Sequence, residues 1–217
     1  PGLSSQVVAM VELSAESLVA LNIALPNNSI SGKAVSTLTL DIAKDTPVGF
    51  KLFSNLEGAS LQVPALKWKK SQLDSGKLKV TGFFSKPMIV NSLEFKAAGL
   101  STEGRIEFDA EGIDRVLLSD FQVSNWLSSE VTLVNRGSGV PMEILVSDGI
   151  LDLRKFPQTK SLIVPPTGSA APLKLKLQSL QISDSLTLTD VAAEFADGLI
   201  AGGLFSGKVN GGTPISG

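Results

Sequence analysis

The sequence predicts a mainly β protein, a long antiparallel meander with one apolar face, on three observations. From Pro172 to Asp190 the chain reads PLKLKLQSLQISDSLTLTD, with Leu or Ile alternating with Lys, Gln, Ser and Thr. A period of two places apolar and polar rows on opposite faces of a sheet. The same rhythm recurs along most of the chain, and strand starts return roughly every 10 to 15 residues, the spacing of a meander. Helix signals are scarce, so at most one or two short helices are expected.

The elements follow in order. VVAMVEL (Val7 to Leu13) is a strand candidate. Ser14 then stands as an N-cap before a run of helix formers, which predicts one or two helical turns over Ala15 to Leu21. Pro26, Asn27 and Asn28 mark a turn. KAVSTLTLDIA follows as a strand, with Leu38, Leu40 and Ile42 on one face and Thr37, Thr39 and Asp41 on the other. FKLFSNL (Phe50 to Leu56) and ASLQVPAL (Ala59 to Leu66) come next, and Pro64 confines the latter to a strand end or an edge.

From Gly76 the alternation is cleaner. GKLKVTGFF sets Leu78 and Val80 against Lys77, Lys79 and Thr81; NSLEFKAAGL sets Leu93, Phe95 and Ala97 against Ser92, Glu94 and Lys96; GRIEFDAEG sets Ile106 and Phe108 against Arg105, Glu107 and Asp109. DRVLLSDFQV, SEVTLVNRG, PMEILVSDG and ILDLRKF extend the series through Phe156, each closed by a turn-forming residue. PPTGSAAP (Pro165 to Pro172) reads as a loop within one sheet. The Gly-rich tail is expected to hold one or two strands with a bulge.

Composition narrows the function classes. In 217 residues, hydrophobic types make up 43% and charged types 18%, with a net charge of −2. This is too apolar for disorder and too weakly charged for a nucleic-acid or polybasic membrane surface. Cys, His and Tyr are all absent. That removes thiol nucleophiles, zinc-finger ligands, the Ser-His-Asp triad and the commonest general base. An enzyme on this chain would have to run on Asp, Glu, Lys or Ser, and no two carboxylates are set apart as acid and base. No cofactor and no metal is expected. No stretch reaches 18 consecutive apolar residues. A first residue, Pro1, that cannot initiate suggests a processed product or part of a longer protein.

Four motifs suggest specific chemistry. Gly202, Gly207 and Lys208 have nearly the spacing of a phosphate-binding loop, but Val209 stands where a hydroxyl must meet Mg²⁺, and VNGGTP cannot make the helix that follows. Asp109, Glu111 and Asp114 cluster as in a Ca²⁺ loop, yet Gly112 is out of register and a solvated turn is the better reading. Asn27, Asn28 and Ser29 match a glycosylation acceptor, a very common pattern. Trp68 and Trp126 flank apolar strands, where core or rim packing competes with contact to lipid.

The remaining signal is the sheet itself, which has two readings. A one-sided apolar sheet is usually half of a sandwich or the wall of a closed barrel. Alternatively it is open and curved, its concave face filled by acyl chains. Here resemblance adds to the residues. FKLFSNLEGASLQVPALKWKK, GKLKVTG, AAGLSTEGRIEFDAEG and VSDGILDLRKF resemble the periplasmic region of the AsmA-like proteins of the bacterial envelope, closest to the YhdP branch, with TamB-like relatives. LQISDSLTLTDVAAEFADGLIAGGLFSGKVNGG looks like the family's recurring unit of amphipathic strand, hairpin and Gly-rich strand. The resemblance runs from about Ser31 to Gly217 and rests on apolar and Gly positions.

It implies an open, U-shaped groove with an apolar concave face, residues 1–217 forming a single groove segment internal to a much longer protein. It also implies a periplasmic location, with a tether to the inner membrane through a helix lying outside this chain. The implied function is non-enzymatic phospholipid conduction between inner and outer membranes. Some 12 strands about 4.8 Å apart would make a trough roughly 55 to 60 Å long. The expected partners are phospholipid acyl chains, the remaining groove segments and membrane proteins at either end, with no nucleic acid. The candidate lining residues are Leu38, Leu40, Ile42, Leu78, Val80, Leu93, Phe95, Ile106, Phe108, Val131, Leu133, Leu173, Leu175 and Leu177. For each, packing against protein remains an equal alternative. A structural or adaptor β-domain in envelope assembly is the alternative function.

Overall fold

The computed structural model describes residues 4–20, 23, 29–137, 139–157, 171–199 and 203–217. The alternating segments are strands: β1 (Ser4–Leu13), β2 (Ile30–Gly32), β3 (Ala34–Ala43), β4 (Val48–Ser54), β5 (Ala59–Val63), β6 (Trp68–Lys70), β7 (Gly76–Phe84), β8 (Ile89–Ala97) and β9 (Leu100–Phe108). They continue as β10 (Ile113–Val123), β11 (Leu127–Val134), β12 (Glu143–Asp152), β13 (Leu173–Gln181), β14 (Thr187–Leu199), β15 (Leu204–Val209) and β16 (Thr213–Ser216). Thirteen of them form one open, mostly antiparallel sheet in the order β1-β3-β4-β7-β8-β9-β10-β11-β12-β13-β14-β15-β16, and β2-β5-β6 form a second. Chain contacts define two compact units, Pro1–Val116 and Leu117–Gly217.

The helix α1 (Ala15–Ala20) starts where Ser14 predicts it. The Ser17 backbone N–H donates to Ser14 Oγ at 3.3 Å and the Ser14 N–H donates to Ser17 Oγ at 2.8 Å, a reciprocal cap. Among the described residues no helix is long and apolar enough to cross a membrane. Pro64 ends β5 and opens a single 3-10 turn, Pro64–Leu66. The β8–β9 hairpin turns on Ala98 and Gly99, whose φ of 76° suits glycine.

In unit 1 the register stacks the apolar residues strand by strand. One row runs Ala9, Leu38, Leu52, Val80, Leu93, Gly104, and the next Val7, Leu40, Phe50, Gly82, Val90, Ile106. A third runs Val11, Ser36, Ser54, Leu78, Phe95, Thr102. Antiparallel neighbours directly opposite share a face, so one period-2 pattern in each strand becomes one apolar surface. The small sheet covers one end of that surface. Trp68 stands edge-on to Phe95 with ring centroids 5.8 Å apart, and its indole N–H donates to Ala98 O at 2.8 Å. Ala34, Ser36, Ser54, Leu56 and Leu100 are buried in unit 1. Lys70 is buried too, its ammonium donating to the carbonyls of Leu56 (2.7 Å), Ala59 (2.9 Å) and Ser71 (3.0 Å). Burial pushes that amine below the usual lysine range.

The sheet is mostly antiparallel, as expected, and in unit 2 β12 and β13 are parallel. A parallel neighbour requires the chain to return to its starting end, and residues 153–172 are long enough to do so. PMEILVSDG and ILDLRKF, expected as two strands, merge into β12; the chain then turns, with the Asp152 carboxylate accepting from the Arg154 backbone N–H at 3.1 Å. The unit's rows are Leu133, Ile144, Leu173, Phe195; then Val131, Val146, Leu175, Ala193, Phe205; then Leu127, Leu151, Leu180, Leu188, Val209.

Between the last two rows the alternation slips. Asp148 is an extra residue in β12 relative to β11, Gln178 lies outside the β12–β13 pairs, and an extra residue enters β14 between Thr189 and Ala192. Asp148 and Asp190 have φ of 49° and 52°, as befits bulge residues, and Asp120 in β10 has 47°.

Candidate functional site

The candidate site is the apolar face of each unit. In unit 1, Leu38, Leu40, Leu78, Val80, Leu93, Phe95, Ile106 and Phe108 are half-buried and Ile42 is 39% exposed. A second β-layer would seal such residues to below a tenth of their surface. Trp68 covers the end of the face at Phe95, and farther along it Phe50, stacked at 4.7 Å on Phe84, and Val90 are buried as well. In unit 2, Leu133, Leu173 and Leu175 are half-buried, while Val131 and Leu177 are 5% and 3% exposed. Leu177, Leu188 and Val191 form a buried cluster flanked by Val146, Leu151, Leu175, Leu180, Leu186, Val209 and Ile215.

No Asp, Glu, Lys or Arg occurs in any of these rows. The charges stand on the other face and pair across strands: Lys51 with Asp41 (2.8 Å), Lys77 with Glu94 (2.6 Å), Lys174 with Glu143 (3.1 Å) and Lys208 with Asp190 (2.8 Å). The Lys51 ammonium first, then the Gln6 amide, hold the Asp41 carboxyl below its usual range, and Lys77 does the same for Glu94. Exposed pairs of this kind add little stability, but they keep that face wet and the register matched. An open depression of about 760 Å³ lies at the strand ends by Pro47, lined by Ile42 and Phe50 as well as by Gln6, Asp41 and Lys51.

Several lining residues escape the sequence reading. Leu52, Phe50 and Val90 complete the rows of unit 1, and Ile144, Val146, Leu180 and Leu188 those of unit 2. Their signal is the cross-strand register, since FKLFSNL by itself does not say whether Leu52 or Phe53 faces the row. Where the motif residues are described, they form ordinary turns, strands and core. The Asp109 carboxylate accepts from the N–H groups of Glu111 (2.8 Å) and Gly112 (3.0 Å), holding a turn. Gly207, Lys208 and Val209 lie inside β15, with Lys208 in its ion pair, while Gly202 is outside the described residues. So are Asn27 and Asn28 of the glycosylation pattern, Pro26, Leu21 and residues 165–170 of the expected loop. Trp68 and Trp126 are buried, Trp126 edge-on to Phe156 at 5.0 Å, in keeping with core packing.

Comparison with protein-family models, curated proteins and solved structures returns no match.

Proposed function

We propose that this chain is a section of a hydrophobic β-groove that conducts phospholipids across the periplasm between inner and outer membranes, within an inner-membrane-tethered protein of the AsmA-like kind, without enzymatic chemistry. The reading is carried by one observation. In unit 1, charge-free apolar rows run in register across β1, β3, β4, β7, β8 and β9, and most of their side chains remain half-exposed.

The physics suits such a cargo. At roughly 0.8 kcal/mol per CH₂, wetting one acyl chain of about 16 carbons costs on the order of 12 kcal/mol. The five steps between those six neighbours, at about 4.8 Å each, span about 24 Å, against the roughly 15 Å depth of one leaflet's hydrocarbon. A headgroup left in water needs no charged partner, in accord with the absence of charge from the rows.

Native mass spectrometry of the gently purified chain tests the reading. Retained phospholipid, displaced by detergent, is the expected result; a chain that carries none and takes none from phospholipid vesicles overturns it. One observation favours the adaptor alternative: Val8, Met10, Val35 and Phe53 are 61%, 70%, 57% and 50% exposed on the otherwise polar face of unit 1. The adaptor requires a protein partner there and no bound lipid.

A further inference from the structure

We infer that the free edge of β1 is a docking surface for a second copy of this chain, the two β1 strands pairing antiparallel about a two-fold axis at Ala9. The inference does not depend on what lies on the apolar face. β1 ends the strand order and pairs with β3 alone. Along its other side run the backbone N–H and C=O groups of every second residue, and among the described residues no backbone hydrogen bond reaches them. Only another extended backbone matches such a row. Open edges are ordinarily blunted by Lys, by Pro, by a bulge or by shortness. β16, at the other end of the order, has two of these devices, being four residues long and carrying Pro214. β1 has none of them. SSQVVAMVEL runs ten residues in unbroken register with β3, from Ser4 opposite Ala43 to Leu13 opposite Ala34, and Glu12 is its one charge. Val7, Val8 and Met10 stand exposed on it, Val7 on the face of the apolar rows and the other two on the opposite face.

The sequence of β1 is complementary to itself in one register. Antiparallel residues directly opposite share a face, so the apolar rows of both copies stay on one side only where odd-numbered residues meet odd-numbered ones. Three such registers use most of the strand, with Val8, Ala9 or Met10 on the axis. About Ala9, Val7 meets Val11, Val8 meets Met10 and Gln6 meets Glu12, each pair occurring twice. The Gln6 amide gives one N–H to Asp41 at 2.8 Å, which leaves its second for the Glu12 carboxylate of the other copy. Glu12 meanwhile keeps Lys33 at 2.7 Å. About Val8, Gln6 would face Met10 and Ser5 would face Val11; about Met10, Glu12 would face Val8. Those registers set polar groups against apolar ones within the pairing, whereas the Ala9 register does so only with Ser5 and Leu13 at its ends. The rows that begin at Val7, Ala9 and Val11 then run on from one copy into the other with no charge between them. Being isologous, the contact closes at two copies. A head-to-tail pairing of β1 with β16 would instead meet Pro214, which has no N–H to give.

Sedimentation of the chain over a concentration series, from about 1 to about 200 µM, tests the pairing. The 22.7 kDa chain should approach twice that mass as concentration rises. Val8→Lys with Met10→Lys sets like charges opposite each other across the axis and should weaken the association at least about tenfold. Val8→Lys with Met10→Glu sets opposite charges there and should keep it within about threefold of the unaltered chain. Leu73→Lys, at an exposed turn away from β1, should leave it unchanged. Single cysteines read the axis itself. The chain has no cysteine of its own, so Ala9→Cys brings two thiols face to face at a Cα separation that a disulfide accepts. Under mild oxidation Ala9→Cys should form a covalent dimer at least about fivefold faster than Val8→Cys or Met10→Cys. Should the Lys pair lower the melting temperature, the cysteine series decides alone. A chain that stays monomeric throughout, or a dimer that a folded Lys pair leaves intact, overturns the proposal, and so does crosslinking that is fastest through Val8→Cys or Met10→Cys.

Discussion

Val80→Asp asks most directly whether the apolar rows are a wet trough or a sealed core. Val80 is half-buried in β7, between Leu52 of β4 and Leu93 of β8, and both neighbours are half-buried as well. Half the transfer energy of a valine is about 1 kcal/mol. A carboxylate at an open face keeps most of its hydration, and its partial desolvation adds about 1 to 2 kcal/mol. The sum of about 2 to 3 kcal/mol lies below the stability of an ordinary domain, about 5 to 15 kcal/mol, so the variant should fold. In a sealed core the uncompensated charge would exceed that margin. Urea denaturation followed by circular dichroism measures the change, and native mass spectrometry of the same sample measures lipid. A cooperative transition with an unchanged slope, a lowered midpoint and lost phospholipid is expected. An unfolded chain refutes the open face, and a folded chain that retains lipid refutes Val80 as part of the wall.

Three further outcomes follow from the geometry. Lys70→Met removes the ammonium that donates to the carbonyls of Leu56, Ala59 and Ser71, and should cost about 2 to 3 kcal/mol, read as faster hydrogen exchange confined to β5 and β6. Gly149→Ala drives a methyl into Ser129 and should cost about 1 to 3 kcal/mol by thermal unfolding. Hydrogen bonds from Arg154, with the Lys155 ammonium adding to them, hold the Asp152 carboxyl far below its ordinary value of 3.8. A depressed folded-state value means this stability is complete above about pH 4 and fades as the pH falls below it. The acid limb of the stability curve should therefore flatten in Asp152→Asn, and an unchanged limb would contradict the assignment.

Most of the strands were legible because alternation is local. LKLKL needs no partner to show which residues share a face, and β3, β7, β8, β9 and β13 lie where it places them. The Ser14 cap and the Pro64 strand end were legible for the same reason, each being a matter of one residue's backbone and its near neighbours. The lining set was legible only in part. Leu52 and Phe53 are adjacent and both apolar, so only pairing with Leu38 and Val80 chooses between them. The parallel step from β12 to β13 escaped because no local pattern records which end of a sheet the chain returns to.

The sequence by itself determined a β chain with one apolar and one polar row per strand, because side-chain alternation follows from the extended backbone alone. Tertiary structure decided how those rows join, where Trp68 closes one end of a face, and that β13 lies parallel to β12. Register, covering and strand direction arise between strands distant in the chain, and each becomes determinate only when backbone hydrogen bonds bring those strands side by side.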